Sequence, residues 1–134
     1  MTVEGAGAGA MAGARILLVE DHEATRTAVA RLLARRGYEV EAASTAAEAL
    51  RLAGEARFDL VISDIGLPDA DGYGLMKQLS ERHGLRGLAL SGYGMEEDIA
   101  RGRAAGFVEH LTKPIDIRKL EAVLVRLLGE GAAG

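Results

Sequence analysis

Acidic residues follow two short apolar runs in this sequence. Asp64 ends the run 58–63 and opens a loop rich in Gly, Pro and Asp, while Glu20 and Asp21 follow the run 15–19. Apolar runs of this length, broken by Gly and Pro, are typical of buried strands that open into loops. In open α/β sheets, ligands collect at the carboxyl ends of the strands. These three carboxylates therefore mark a candidate ligand site.

A divalent cation is the simplest explanation for the three acids. Two carboxylates about 4 Å apart repel each other by roughly 4 kcal/mol at an effective dielectric constant near 20. Mg²⁺ relieves such repulsion and takes about six oxygens, usually from one or two carboxylates, water and phosphate. We predict a Mg²⁺ site formed by Glu20, Asp21 and Asp64, with a loop carbonyl just after Asp64 as a further ligand. For Glu20 and Asp21 alone, a helix N-terminus is the alternative, since acids there favour the helix dipole.

The bulk composition limits the classes of protein that fit this chain. Its 134 residues suit one domain, and an apolar content of 49% permits a packed core. Without Cys there are no disulfides or thiolate metal sites, and a net charge of −4 without a long basic run argues against nucleic-acid binding. The apolar runs are far shorter than the ~20 residues of a membrane span. Because residues 1–13 also lack a secretory signal pattern, we predict a cytoplasmic protein without membrane insertion.

Strand-like and helical segments alternate from residue 15 onward. Strands are predicted at 15–20, 38–43, 58–63, 86–91 and 107–111, and helices at about 23–36, 45–55, 72–83, 95–105 and 116–129. In the last helix, one apolar face is formed by Ile117, Leu120, Val123, Leu124 and Leu127. Residues 1–13 are predicted to be a flexible Gly/Ala-rich tail or linker, 14–130 the folded domain, and 131–134 a flexible end.

Repeated βα units with short connections predict an α/β fold with a doubly wound, five-stranded parallel sheet. Right-handed crossovers leave few topologies, and the flavodoxin-like order 2-1-3-4-5 is the one we predict. Strands one and three are neighbours in this order. The fold would therefore bring Glu20 and Asp21 beside Asp64.

Four short motifs, each at the end of a predicted strand, resemble the receiver (response-regulator, CheY-like) domain of two-component signalling. They are Leu18-Val19-Glu20-Asp21, Asp64-Ile65-Gly66-Leu67-Pro68-Asp69-Ala70-Asp71-Gly72, Ala89-Leu90-Ser91-Gly92 and Leu111-Thr112-Lys113-Pro114. The resemblance covers residues 14–130. Both prolines of the chain, Pro68 and Pro114, fall inside these motifs.

The resemblance implies a role for each acidic residue. Asp64 would be the phosphoacceptor that attacks a phosphohistidine of a partner kinase. Asp21, and Glu20 directly or through water, would hold Mg²⁺ together with the backbone carbonyl of Gly66. Lys113 would place its positive charge against a phosphoryl oxygen, and the Lys113–Pro114 peptide bond would be cis, as it often is in this family. Acyl phosphate formation on an Asp, driven by positioning and charge neutralisation, is established chemistry.

The resemblance also implies a conformational switch. Ser91 would be the switch hydroxyl, which turns to donate a hydrogen bond to the new phosphoryl oxygen, and the small Gly92 beside it leaves room. The partner three residues before the lysine is commonly Tyr or Phe but is His110 here. His110 either moves as the switch element or is a fixed or exposed strand-end residue. Tyr93 borders the site, where it either tunes water access or packs.

The motifs leave several cellular roles open. One is a stand-alone receiver that acts by protein–protein contact, as a monomer or weak dimer. Another is the receiver of a hybrid sensor histidine kinase, to whose motifs these are similar, acting in a phosphorelay. The partner would be a histidine kinase or a histidine phosphotransfer protein. A Mg²⁺-dependent phosphatase is disfavoured, because such enzymes generally need an acid two residues after the nucleophile, and Gly66 has no side chain.

Overall fold

A computed structural model describes residues 13–92 and 99–133. Its elements are β1 (Arg15–Val19), α1 (Glu23–Arg35), β2 (Glu39–Ala43), α2 (Ala46–Glu55), β3 (Leu60–Asp64), α3 (Gly72–His83), β4 (Gly87–Ser91), α4 (Ile99–Ala105), β5 (Phe107–Thr112) and α5 (Ile117–Ala133). The predicted alternation of strands and helices is therefore present, with boundaries that differ by a residue or two apart from the end of α5, which lies four residues beyond its predicted position. The predicted start of the fourth helix at residue 95 lies outside the described residues.

The five strands form one parallel sheet in the order β2-β1-β3-β4-β5, which confirms the predicted fold class. Alternate residues of β1 point to opposite faces of this sheet. Leu17 and Val19 pack with α2, α3 and α4, whereas Ile16 and Leu18 pack with α1 and α5. Because both faces are covered, the central strands are apolar throughout, and all five residues of β3 and of β4 are buried.

Helix α5 departs from the predicted pattern at its first turn. Ile117, predicted on the buried face, is 42% exposed, and burial begins one turn later at Leu120. Helical periodicity identifies a face but does not show where along its length a helix meets the sheet. The helix then packs through Leu120, Leu124, Leu127 and Leu128 and continues to Ala133, beyond residue 130. None of the helices in the described part of the chain has the length and apolar character of a membrane span.

Asp69 ties the loop after β3 to the start of α2. The backbone N–H groups of Ala46 and Ala47 donate to its two carboxylate oxygens at 2.9 and 3.1 Å. Free N–H groups at a helix start are the donors that a carboxylate satisfies best. These two hydrogen bonds, that from Ala46 first, hold the pKa of Asp69 below its usual value.

Replacing this cap should weaken the fold at neutral pH. Asp69→Asn removes the charge and one of the two acceptors, so we expect a lower melting temperature at pH 7. Because the pKa of Asp69 is lowered by folding, its contribution is present above its unfolded value of about 3.8 and is lost as the pH falls through the folded value. Thermal unfolding between pH 7 and pH 3 should show the two proteins converging in acid. Glu81→Gln, an exposed site on α3, is the control, and an equal effect of both substitutions would contradict the prediction.

Candidate functional site

The carboxyl ends of β1 and β3 bring the three predicted acids together. One ligand atom each from Glu20, Asp21, His22 and Asp64 lies within 4.8 Å of the others. The side chain of Glu20 is completely buried, that of Asp64 is 4% exposed, and that of Asp21 is 31% exposed. The juxtaposition follows from the sheet order, because Val19 at the end of β1 lies opposite Ser63 of β3.

Lys113 reaches this cluster from the end of β5. Its Nζ lies 3.0 Å from Asp64 Oδ2 and 2.5 Å from Glu20 Oε1. The backbone positions it, since Lys113 N donates to the carbonyl of Ser91 at 2.8 Å, and the Lys113–Pro114 bond is cis. One ammonium group therefore contacts two buried carboxylates, and the cluster retains a net negative charge.

The surroundings act differently on the two buried acids. Burial raises the pKa of Asp64 and the charge of Glu20 raises it further, against the opposing effects of Lys113 and of the Gly66 amide. Burial also works to raise the pKa of Glu20. Hydrogen bonds from Lys113 and from the His22 backbone outweigh this effect, so the pKa of Glu20 is lowered. Desolvation works to lower the pKa of Lys113, yet its ion pairs with Glu20 and Asp64 raise it. Lys113 is thus a cation paired firmly with Glu20, while the negative charge of Asp64 is the less stabilised.

The loop after β3 holds Asp64 from its backbone side. Gly66 N donates to Asp64 Oδ1 at 3.2 Å, and Gly66 pairs with Asp71 in a short antiparallel bridge. Gly72 N then donates to the Ile65 carbonyl at 2.8 Å. A Cβ on Gly72 would lie 2.5 Å from the Asp64 carbonyl oxygen and 2.6 Å from Ile65 Cα. Glycine at this position therefore lets the start of α3 approach the loop that carries Asp64.

Two residues near the site were not predicted from the sequence. Arg26 Nη1 donates to the carbonyl of Glu20 at 3.0 Å and approaches that of Asp21 at 3.4 Å. The second residue, His22, donates its backbone N–H to Glu20 Oε2 at 2.9 Å and precedes α1 as its N-cap. The spacing of Arg26, one turn after that N-cap, is a sequence signal that could have identified it.

The predicted switch residues lie on one face of the sheet. Ser91 is buried at the end of β4 and is paired in register with Thr112, as Ala89 is with His110. His110 is partly buried and lines a cavity of about 50 Å³ between α4 and β5, together with Tyr73 and Phe107. Ser91 and His110 are therefore neighbours across two strands. Tyr93 lies outside the described residues.

The donor set fits a hard divalent cation. Within the described ranges, Asp21 Oδ1 is a buried oxygen that accepts no hydrogen bond. Glu20 Oε1 is paired with Lys113 Nζ at 2.5 Å, and a bound metal ion would share this oxygen with the ammonium group. Oxygens that are withdrawn from water and accept no hydrogen bond are suited to a metal ion, which the carboxylate chemistry of the cluster also favours.

A doubly wound sheet with acids at the ends of β1 and β3 and a lysine after β5 defines a receiver-type signalling domain. A family model, described as the response regulator receiver domain, matches residues 16–125. The chain therefore belongs to the family of response regulator receiver domains, which confirms the resemblance predicted from its motifs.

Curated relatives of the chain include regulators with this domain. The transcriptional regulatory protein AfsQ1 of Streptomyces coelicolor is 31% identical over 116 residues, which cover 87% of this chain and 52% of that protein. The DNA-binding transcriptional regulator NtrC of Azospirillum brasilense is 32% identical over 119 residues, which cover 88% of this chain and 25% of that protein. The chain thus spans about half the length, or less, of these relatives.

Solved structures agree with the fold. The receiver domain of an HD domain-containing protein from Pseudomonas fluorescens Pf-5 superposes with a TM-score of 0.85 at 28% identity, covering 91% of this chain and 99% of that one. The chemotaxis response regulator CheY4 of Vibrio cholerae superposes with a TM-score of 0.77 at 33% identity, covering 86% of this chain and 98% of that one. These whole-domain matches support the CheY-like architecture.

Proposed function

We propose that this chain is a phosphoacceptor in two-component signal transduction and that Asp64 receives the phosphoryl group from a phosphohistidine. The observation that carries the proposal is the contact of Lys113 Nζ with the buried Asp64 carboxylate, beside Glu20 and Asp21. A nucleophile, a fixed cation and an acidic cation-binding pair are the parts that aspartyl phosphate formation needs.

The residues divide the chemical task among them. A carboxylate oxygen of Asp64 forms a bond to phosphorus while the bond between phosphorus and the donor imidazole nitrogen breaks, and the imidazole takes up a proton. Lys113 Nζ lies 3.0 Å from Asp64 Oδ2. As negative charge passes from the Asp64 carboxylate to the phosphoryl oxygens, this ammonium group would shift its contact to a phosphoryl oxygen. Mg²⁺, when held by Glu20, Asp21, Asp64 and the Gly66 carbonyl, supplies positive charge to the phosphoryl oxygens.

The signal would arise from the switch residues. The phosphoryl group adds charge of about −2 with new acceptor oxygens, to which the Ser91 hydroxyl and Lys113 would donate. Movement of Ser91 towards the phosphoryl group would draw in the end of β4 and let His110 occupy the adjoining cavity. The surface of α4 and β5 would then change its affinity for a partner protein. Moving such an equilibrium from 1:99 to 99:1 takes about 5.5 kcal/mol.

The biological setting has alternatives. The partner that supplies the phosphoryl group would be a histidine kinase or a histidine phosphotransfer protein in the cytoplasm. Because the relatives AfsQ1 and NtrC are longer than this chain, the domain could also serve within a larger protein, including a hybrid histidine kinase of a phosphorelay. A phosphatase is disfavoured by Gly66, which offers no general acid. Steady phosphate release from phosphomonoesters would favour the phosphatase.

The proposal predicts a single phosphorylation site. Incubation with acetyl phosphate and Mg²⁺ should add one phosphoryl group to the intact mass, and the adduct should be absent in Asp64→Asn and without Mg²⁺. Asp59→Asn, five residues earlier and just before β3, is the matched control and should still be labelled. Beryllofluoride binding serves as a second measurement if the phosphoryl group hydrolyses quickly. Failure of the unmutated chain in both measurements would overturn the proposal.

A further inference from the structure

His22 lies against the acidic cluster but has no part in the proposed phosphoryl transfer. Its Nδ1 is 3.1 Å from Glu20 Oε2 and 3.6 Å from Asp21 Oδ1. The backbone N–H of the same residue donates to the same Glu20 oxygen at 2.9 Å. The ring is thereby held at the mouth of the cluster by the start of α1, with its nitrogen turned towards the carboxylates.

The spacing of the ligand atoms is close to that of a single coordination shell. The His22 nitrogen and one oxygen each from Glu20, Asp21 and Asp64 all lie within 4.8 Å of one another. With metal–ligand bonds of about 2.1 Å, ligands on opposite sides of an octahedral ion are about 4.2 Å apart. Small side-chain movements would therefore close the four atoms around one ion.

Two further observations indicate that a ligand belongs here. Among the described residues, the buried atom Asp21 Oδ1 accepts no hydrogen bond, and it lies 3.6 Å from His22 Nδ1. The side chain of His22 is 69% exposed, so its ring can turn without disturbing the core. In the metal-free protein Nδ1 is placed to donate to Glu20 Oε2 at 3.1 Å. When a metal ion displaces that proton, the neutral ring keeps its proton on Nε2 and presents a lone pair at Nδ1.

We propose that His22 Nδ1 is an additional metal ligand, so that the cluster binds first-row transition dications such as Zn²⁺ and Ni²⁺ more tightly than Mg²⁺. An imidazole nitrogen is a good ligand for Zn²⁺ and Ni²⁺, whereas Mg²⁺ prefers oxygen. The inference rests on the metal site of the proposed function and adds a nitrogen ligand to it. Such a site would hold either Mg²⁺ or a transition dication, depending on which of these ions is available.

Metal titration of the full chain tests the inference. We expect Zn²⁺ affinity, measured by calorimetry, to fall by about tenfold or more in His22→Asn, the size of effect typical of losing a metal-site residue, and Mg²⁺ affinity to stay unchanged. Asn is also a good N-cap, so α1 should be preserved. His83→Asn, at the exposed end of α3, is the matched control and should bind as the unmutated chain does. A second readout is the His22 ring ¹⁵N resonance, which should move on addition of Zn²⁺.

The outcomes separate this inference from the proposed function. Equal Zn²⁺ affinity of His22→Asn and the unmutated chain, or an unmoved His22 resonance, would overturn the nitrogen ligand. If the unmutated chain is still labelled by acetyl phosphate with Mg²⁺, the proposed function then stands alone. Absence of both Mg²⁺ binding and labelling would instead overturn the metal site itself, and the inference with it.

Discussion

Gly72→Ala is expected to destabilise the protein by about 3 kcal/mol, the upper end of the usual penalty for overpacking. The added Cβ would lie 2.5 and 2.8 Å from the carbonyl oxygens of Asp64 and Ile65 and 2.6 Å from Ile65 Cα. All three atoms belong to the backbone, so no side chain can turn away to make room. Either α3 or the loop that carries Asp64 has to move.

A matched glycine in the same helix gives the control. The corresponding Cβ on Gly74 would meet no atom within 4 Å, and Gly74 is exposed on α3. Gly74→Ala should therefore stabilise the protein by about 0.5–1 kcal/mol through the better helix propensity of Ala. Urea unfolding should move the two midpoints in opposite directions.

The same pair of variants tests whether the close approach matters for the site. Because Gly72 N donates to the Ile65 carbonyl, a shift of α3 displaces the backbone next to Asp64. We expect slower labelling of Gly72→Ala by acetyl phosphate under conditions where the protein stays folded, and normal labelling of Gly74→Ala. Equal stability of the two variants would show that the helix start is not constrained by this contact.

Lys113→Met is expected to destabilise the metal-free protein by about 3 kcal/mol, near the lower end of the range for breaking a buried ion pair. The lower end applies because 16% of the Lys113 side chain is exposed. Without the ammonium group, the buried carboxylates of Glu20 and Asp64 face each other uncompensated. Chemical unfolding in the presence of a chelator measures the effect. Lys77→Met, an exposed position on α3, should change stability little.

Asp64→Asn should have the opposite effect, stabilising the protein at pH 7 by about 0.5–2 kcal/mol, the usual size of a single stabilising substitution. The pKa of Asp64 is raised in the folded protein by burial and by Glu20. Ionising Asp64 therefore lowers stability as the pH rises from its unfolded value of about 3.8 through the raised folded value. The stability gained by Asp64→Asn should therefore disappear below about pH 4, where Asp64 is protonated in both the folded and the unfolded protein.

A double-mutant cycle joins the two substitutions. The gain from Asp64→Asn should be larger in the Lys113→Met background, since removal of one carboxylate then relieves the unscreened repulsion with Glu20. Additive effects of the two substitutions would contradict the view that Lys113 neutralises Asp64. The cycle also measures how far Asp64, the proposed phosphoacceptor, opposes the stability of the fold.

Much of the architecture could be predicted from the sequence because the signals are local. Alternating apolar strands and amphipathic helices define βα units, and the handedness of crossovers leaves few sheet orders. That order places the ends of β1 and β3 side by side, so the proximity of Asp21 and Asp64 followed from topology. Helical periodicity was less informative at Ile117, because the first turn of α5 projects beyond the sheet contact.

The tertiary structure alone decided how the loops fill the space around those acids. Asp69 meets α2 across 23 residues of sequence, and Lys113 contacts Asp64 across 49. Such contacts depend on the path of each loop, which no periodic pattern encodes. The sequence determined which residues stand at the ends of the strands. The packing determined that Lys113 contacts Glu20 as well as Asp64 and that His22 turns towards the cluster. It also determined that only glycine fits at position 72. All three features depend on distances of a few ångströms between segments that are far apart in the sequence.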